Sequence, residues 1–216
     1  RMGSDHIFDH MMLDGLEDAY EAGRSMGTFG EDCAAKYKFT REAQDAFATT
    51  SVQRAQAATK SGAFAAEITP ITVKTRAGET VVSIDEGPAK AKLDKIATLK
   101  PAFKKDGTIT AASSSSINDG AAALVMMRAS TAAKLGLTPL ARIVAHAMHA
   151  QEPEWFPTAP TGAVQQVPVK AGGAVTAVQV WEVNEGFAVV PLCRDTVLEA
   201  RHHTVNATRD ASARGP

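Results

Sequence analysis

An α/β fold is what the sequence predicts, and three observations predict it. Residues 40–60 repeat apolar side chains at helical spacing, with Ala43, Phe47, Ala48 and Val52 on one face. Short β-branched runs stand at residues 68–73, 81–84 and 178–183. Between them, residues 100–127 pass from a polar, turn-rich stretch into the apolar run Leu124-Val125-Met126-Met127, which reads as a buried strand.

Composition narrows the classes. With 216 residues and 44% hydrophobic content the chain can build one large domain or two small ones around a real core. The net charge is −1 and no Lys/Arg block occurs, which argues against a nucleic-acid binder. No apolar run reaches the roughly 18 residues that a membrane span needs. The start, Arg1-Met2-Gly3-Ser4, has no apolar signal core and reads like a chain cut into mid-fold. Cys33 and Cys193 are too few for a disulfide scaffold or a zinc site, which fits a reducing, cytoplasmic setting.

The elements follow in order. Ile7, Met11, Met12, Leu16 and Ala19 recur at roughly helical spacing across Gly15. Met26-Gly27-Thr28 is expected as a turn before a short helix over residues 31–37. Thr40 suits the N-cap of the long helix, and Gly62 stops it. The run 68–73 alternates around Pro70, as an edge strand does. Residues 81–84 form a second short strand, 85–92 an exposed loop carrying Pro88, and 93–99 a helical turn.

In the central stretch, Thr108-Ile109-Thr110 fits a pleat better than a helix. Residues 111–116 carry almost no side chain, so another backbone or a narrow ligand can come close. Asn118-Asp119-Gly120 is strong turn chemistry. Beyond it lie a helix over 130–135 closed by Gly136, a strand candidate at 140–146, and an irregular aromatic loop at 152–162. The strand at 178–183 runs straight into Asn184-Glu185-Gly186-Phe187. A small-residue loop at the end of a core strand is where a site is expected.

These residues also carry a resemblance. The segment LKPAFKKDGTITAASSSSINDGAAALVMM is similar to the middle of a thiolase of the acetyl-CoA acetyltransferase branch. In family order, DHMMLDGLEDAY, GRSMGTFGEDCAAKY, TREAQDAFATTSVQRA and GAFAAEITPITV precede it, and GLTPLARIVAHA and VWEVNEGFAVVPL follow. Together they cover most of residues 5–192. The resemblance implies an α/β thiolase-like fragment: a loop domain that covers coenzyme A (1–115), the end of the amino-terminal αβαβα core domain (116–138) and the start of the carboxy-terminal one (139–192). The family would place an amphipathic helix over 164–177, where Pro168 and Gly172-Gly173 should interrupt it. Residues 193–216 read as an off-pattern, poorly ordered tail. With core-domain partners outside the chain, open strand edges and exposed apolar faces are expected.

The same resemblance implies an acyltransferase that moves an acetyl or acyl group between coenzyme A thioesters, forming or cleaving acetoacetyl-CoA. Such enzymes use a nucleophilic Cys, a Gly-His-Pro histidine and a Cys-x-Gly thiol. None of the three motifs occurs in this sequence, so the chain alone is expected to be inactive. Cys33 and Cys193 match none of those positions and read as small buried hydrophobes. Asn184 matches the family Asn that holds a water in the oxyanion site, although Gly186 stands where Ala is usual. Leu16, Ser25, Met26, Phe103, Ala111, Ser115, Ile117 and Phe187 match positions lining the pantetheine and acyl tunnel. Ser25 replaces a common His. Lys90 and Lys92 lie where relatives present basic groups to nucleotide phosphates, and a solvated charged loop is an equal reading.

No metal and no cofactor are expected, coenzyme A thioester being the substrate. The pairs His6/His10 and His146/His149 lack a third ligand. Trp155-Phe156 reads as a packed loop before a lid. Family members are usually homo-oligomers. Two readings from other classes stay open: a non-catalytic acyl-CoA or lipid-binding module, and a truncated or frame-shifted product.

Overall fold

The computed structural model describes residues 2–3, 5–198 and 205–206. A π-helical turn at Met12–Leu16 is the part of the first amphipathic stretch that winds; it buries nothing. Helix α1, Met26–Tyr37, begins at Ser25, whose hydroxyl accepts the Gly27 amide, and ends on left-handed Lys38. The expected turn at Met26-Gly27-Thr28 is therefore the first turn of the helix. A serine cap satisfies the free amides there, and Gly27 no longer breaks the chain.

Helix α2, Arg41–Ser61, matches expectation at both ends: Thr40 Oγ1 accepts the Ala43 amide and Gly62 closes it at φ 72°. Its buried face is Gln44, Phe47, Ala48, Ser51, Ala55 and Ala58, with Ala43 exposed. The face is turned by about one residue from the apolar reading because Gln44 and Ser51 find polar partners inside. Strands β1, Ile71–Thr75, and β2, Gly78–Val82, form an antiparallel hairpin in the register Ile71↔Val82 to Thr75↔Gly78. Every hairpin residue is exposed, and Pro70 stands just before β1.

The loop expected at 85–92 contains a helical turn, α3, Glu86–Lys90, whose Gly87 amide is capped by the Asp85 side chain. Pro88 sits in its first turn, where a missing N–H costs no hydrogen bond. A 3-10 turn, Leu93–Thr98, follows as expected. Arg41 ties it to α2, donating to the Ile96 and Leu99 carbonyls and pairing with Asp45 at 2.8 Å.

The largest departure lies between residues 115 and 152. Leu124, Val125 and Met126, expected as a buried strand, are 84, 90 and 71% exposed and pair with nothing regular. The strand candidates at 140–146 and 178–183 are likewise irregular. A strand is stable only when a neighbour completes its ladder; among the described residues none pairs with 124–127 or 140–146, and 178–183 has only the isolated parallel bridge between Trp181 and Val205. The exposed apolar faces anticipated from the sequence are there. Within this region only α4, Ala129–Lys134, is regular, closed by Gly136 at φ 68°.

The aromatic loop resolves into a 3-10 turn, Pro153–Thr158, and helix α5, Ala159–Lys170, which carries Pro168 inside it and ends before Gly172. The interruption thus falls at the glycines and not at the proline. Phe156 packs edge-on against Phe29 at 5.9 Å and Trp155 lies under the Lys36 ammonium, so this pair is packed as expected. Helix α6, Val189–Leu198, runs through Cys193 and Arg194, both fully buried, so the expected tail is ordered at its start. Val205 and Asn206 are also buried. The rest of that tail, 199–204 and 207–216, lies outside the described residues.

The core gathers Cys33, Ala34, Ile109, Phe187, Val189 and Cys193, flanked by Met26, Tyr37, Phe39 and Phe156. It is built where α1, α6 and the 153–158 turn meet. A fully buried Ile109 alone is worth about 1.5–3 kcal/mol. Among the described residues no helix is long and apolar enough to cross a membrane.

Candidate functional site

The site is organised by the segment 183–188, which the chain clamps from three sides. Asn206, 2% exposed, donates through Nδ2 to the Val183 carbonyl and accepts the Val183 amide at Oδ1, at 2.8 and 2.7 Å. One side chain thus does what a neighbouring strand does for a backbone. Glu185 is buried and accepts from Ser51 Oγ on α2 and from Asn206 Nδ2, both at 2.5 Å. A buried carboxylate is tolerable only with such donors. From the third side, the Ser115 hydroxyl and amide donate to the Glu185 and Gly186 carbonyls, and the Ala188 amide donates to the Ser113 carbonyl.

The loop 107–115 is fixed from beneath. Glu31 on α1 accepts the Thr108 amide and hydroxyl and the Ile109 amide at 2.9–3.1 Å, so one carboxylate anchors the start of the small-residue run. Gln44 Nε2 donates to Thr108 Oγ1 at 2.8 Å. Thr110 then caps the short 3-10 turn Ala111–Ser113. Small residues matter in this run because it lies directly against the 185–188 backbone, bridged between Ser114 and Phe187.

Most of the sequence-predicted site residues converge here. Phe103 and Phe187 meet edge to face at 5.8 Å, and Met26 packs on the cluster that holds Phe187. Gly27 leaves the space that the Phe103 ring fills, since a Cβ there would land on it. Ser115 bonds the segment directly. Asn184 is exposed between buried Val183 and buried Glu185, so its amide faces out from a fixed backbone. Ser25 caps the helix that presents Met26, and Ala111 opens the 3-10 turn below Ser115. Leu16 lies half-buried at the end of its π turn and Ile117 is 69% exposed; neither belongs to the Phe187 cluster. Lys90 pairs with Glu86 at 2.6 Å on an exposed turn, the solvated reading of that loop.

A separate open cleft of about 460 Å³ is lined by Glu21, Arg24, Glu31, Asp32 and Lys104. It holds none of the predicted tunnel residues. Arg24 is already engaged by Glu21 and Asp32, each at 2.8 Å, and stacks over Phe29.

Sequence reading missed the supports. Ser51 and Gln44 fall on the buried face of α2, a hint that polar partners wait inside. Glu185 was visible only as part of a turn, and Asn206 gave no signal in a stretch without periodicity.

Comparison with known proteins identifies the family. Residues 1–130 match the sequence model of the thiolase N-terminal domain, and residues 137–215 that of the thiolase C-terminal domain. The second match continues past Leu192, where the motif resemblance stops. The chain is 44% identical over 216 residues to a probable acetyl-CoA acetyltransferase of Dictyostelium discoideum, covering 100% of this chain and 52% of that protein. It is 46% identical over 189 residues to an acetyl-CoA acetyltransferase of Rhizobium meliloti, covering 87% and 48%. The solved acetyl-CoA acetyltransferase of Bacillus anthracis superposes with a TM-score of 0.93 at 36% identity, covering all of this chain and 55% of that one. The chain therefore spans about half the length of the relatives it matches. With both domain models matched in order and one backbone shared with a solved acetyl-CoA acetyltransferase, this chain belongs to the thiolase family.

Proposed function

We propose that these residues form one wall of the acyl-thioester site of a thiolase-type acyltransferase, which moves an acetyl or acyl group between coenzyme A thioesters. The observation that carries the reading is the convergence of Met26, Phe103, Ser115 and Phe187 on one backbone segment that also presents Asn184. Flat apolar rings and small residues suit a narrow pantetheine arm. In this reading Asn184 holds the water that donates to the thioester oxygen as charge develops there. Residues 1–115 act in this reading as the part that covers coenzyme A, and no cofactor beyond that substrate is required. The two free cysteines support a reducing, cytoplasmic setting, and the complete protein is a homo-oligomer.

The Gly-His-Pro and Cys-x-Gly motifs are absent, so the reacting thiols come from polypeptide other than these 216 residues. Two experiments test the reading. In the full-length protein, Asn184→Ala lowers kcat for acetoacetyl-CoA thiolysis by about 10²–10³-fold with little change in KM; an unchanged kcat overturns the role of Asn184. The isolated chain releases no thiol from acetoacetyl-CoA, and steady thiol release by purified material overturns the assignment of the chemistry to other polypeptide.

A further inference from the structure

Two cysteines 160 residues apart in sequence meet in the core. Cys33 on α1 and Cys193 on α6 are both fully buried, both free thiols, and their sulfurs are 3.2 Å apart. That is hydrogen-bond distance for S–H···S, and closing by about 1 Å would reach a disulfide bond length. Ala34, Ile109, Phe187 and Val189 surround them, so the pair lies directly beneath the proposed site wall.

The two thiols are not equivalent. The hydrogen bond from Cys193 holds Cys33 below the ordinary cysteine range, against the opposing effect of burial and with help from the Lys36 ammonium. That same pairing, together with burial, pushes Cys193 up. Thiolate character decides which sulfur an oxidant meets first. Tyr37, the other titratable group packed against the pair, is raised by burial and by the two sulfurs, and stays a neutral phenol.

We propose that Cys33 and Cys193 are a redox modification site, at which hydrogen peroxide converts the two thiols into an intrachain disulfide that staples α1 to α6. Cys33 thiolate attacks the peroxide, the O–O bond breaks, and the leaving hydroxide takes a proton, leaving a sulfenic acid on Cys33. Cys193 sulfur then attacks that sulfenic sulfur, the S–O bond breaks, and a second water leaves. Two thiols and one peroxide become one disulfide and two waters. A small uncharged oxidant suits a pair with no exposed surface, because slight separation of the two helices admits it where a bulky disulfide reagent is excluded. The staple would tie the helix that presents Met26 to the helix that follows Phe187. This does not rest on the acyl-transfer reading.

The test treats the native full-length protein with hydrogen peroxide, blocks remaining thiols by alkylation without reductant, and maps the proteolytic peptides by mass. The expected product is the Cys33 peptide joined to the Cys193 peptide, lighter by two hydrogens and separated again by dithiothreitol. The oxidised protein melts several degrees above the reduced one, since the bond closes a long loop. Cys33→Ser and Cys193→Ser each abolish the joined peptide. Should a serine variant fail to fold, the wild-type map decides alone. Recovery of both cysteines fully alkylated, or joining no faster in the folded protein than in urea, overturns the proposal.

Discussion

Glu185 shows how a single buried carboxylate can hold a site together. It receives donors from α2 and from a residue 21 positions further along, while its own carbonyl holds Ser115. Glu185→Ala strands the Ser51 hydroxyl and one Asn206 donor inside the protein, and is expected to lower stability by about 2–3 kcal/mol. Asn206→Ala leaves the Val183 amide and carbonyl unpaired and should cost about 1–3 kcal/mol. Denaturant midpoints of the full-length protein check both. An effect within a few tenths of a kcal/mol at either position contradicts the clamp. At Gly27 the constraint is steric. Gly27→Ala pushes the Phe103 ring off its seat, so coenzyme A affinity by calorimetry should fall, while an unchanged affinity would detach Phe103 from the site.

Among elements, α2 was the most legible, because its cap, its period and its stop all lie in neighbouring residues. Thr40→Ala removes the side-chain acceptor of the Ala43 amide and should cost about 1 kcal/mol, read from the thermal midpoint. The Glu42 carboxyl next to it is held below the usual range, first by its own backbone amide and then by Thr40. A depressed folded value means stabilisation that is present above the ordinary glutamate range and disappears as pH falls through the folded value. The gap in midpoint between wild type and Glu42→Gln should therefore be open at neutral pH and close in acid; a gap independent of pH contradicts the assignment. The start of α1 was less legible because Met26-Gly27-Thr28 has turn composition and only the capping geometry of Ser25 overrides it. Pro168 misled in the opposite sense. A helix that buries the proline ring between neighbours tolerates the lost hydrogen bond, whereas Gly172 at φ 75° does end the run.

At the scale of the whole molecule, the apolar runs at 124–127 and 140–148 decide behaviour in solution. Leu124, Val125, Met126, Leu140, Ile143 and Met148 are all strongly exposed, and the hairpin β1–β2 adds Ile71 and Val82. Exposed apolar side chains in such number drive association. The isolated chain is expected to bind a hydrophobic dye strongly and to elute as aggregates in size-exclusion chromatography. A soluble monomer with a sharp, reversible thermal transition would contradict this.

What the sequence determined by itself was everything set by neighbours along the chain. The caps of α2, the glycine stops at 62 and 136, the turn at 93–98 and the order of the thiolase motifs follow from backbone sterics and local hydrogen bonding, which act within a few residues. Tertiary structure alone decided which polar groups go inside and which apolar runs stay out. Ser51, Glu31, Glu185 and Asn206, and the Gln44 side-chain nitrogen, are buried against donors and acceptors far away in sequence. Residues 124–127 are exposed because among the described residues no neighbouring strand completes their ladder, and hydrogen-bond completion across a fold is not encoded in any local window.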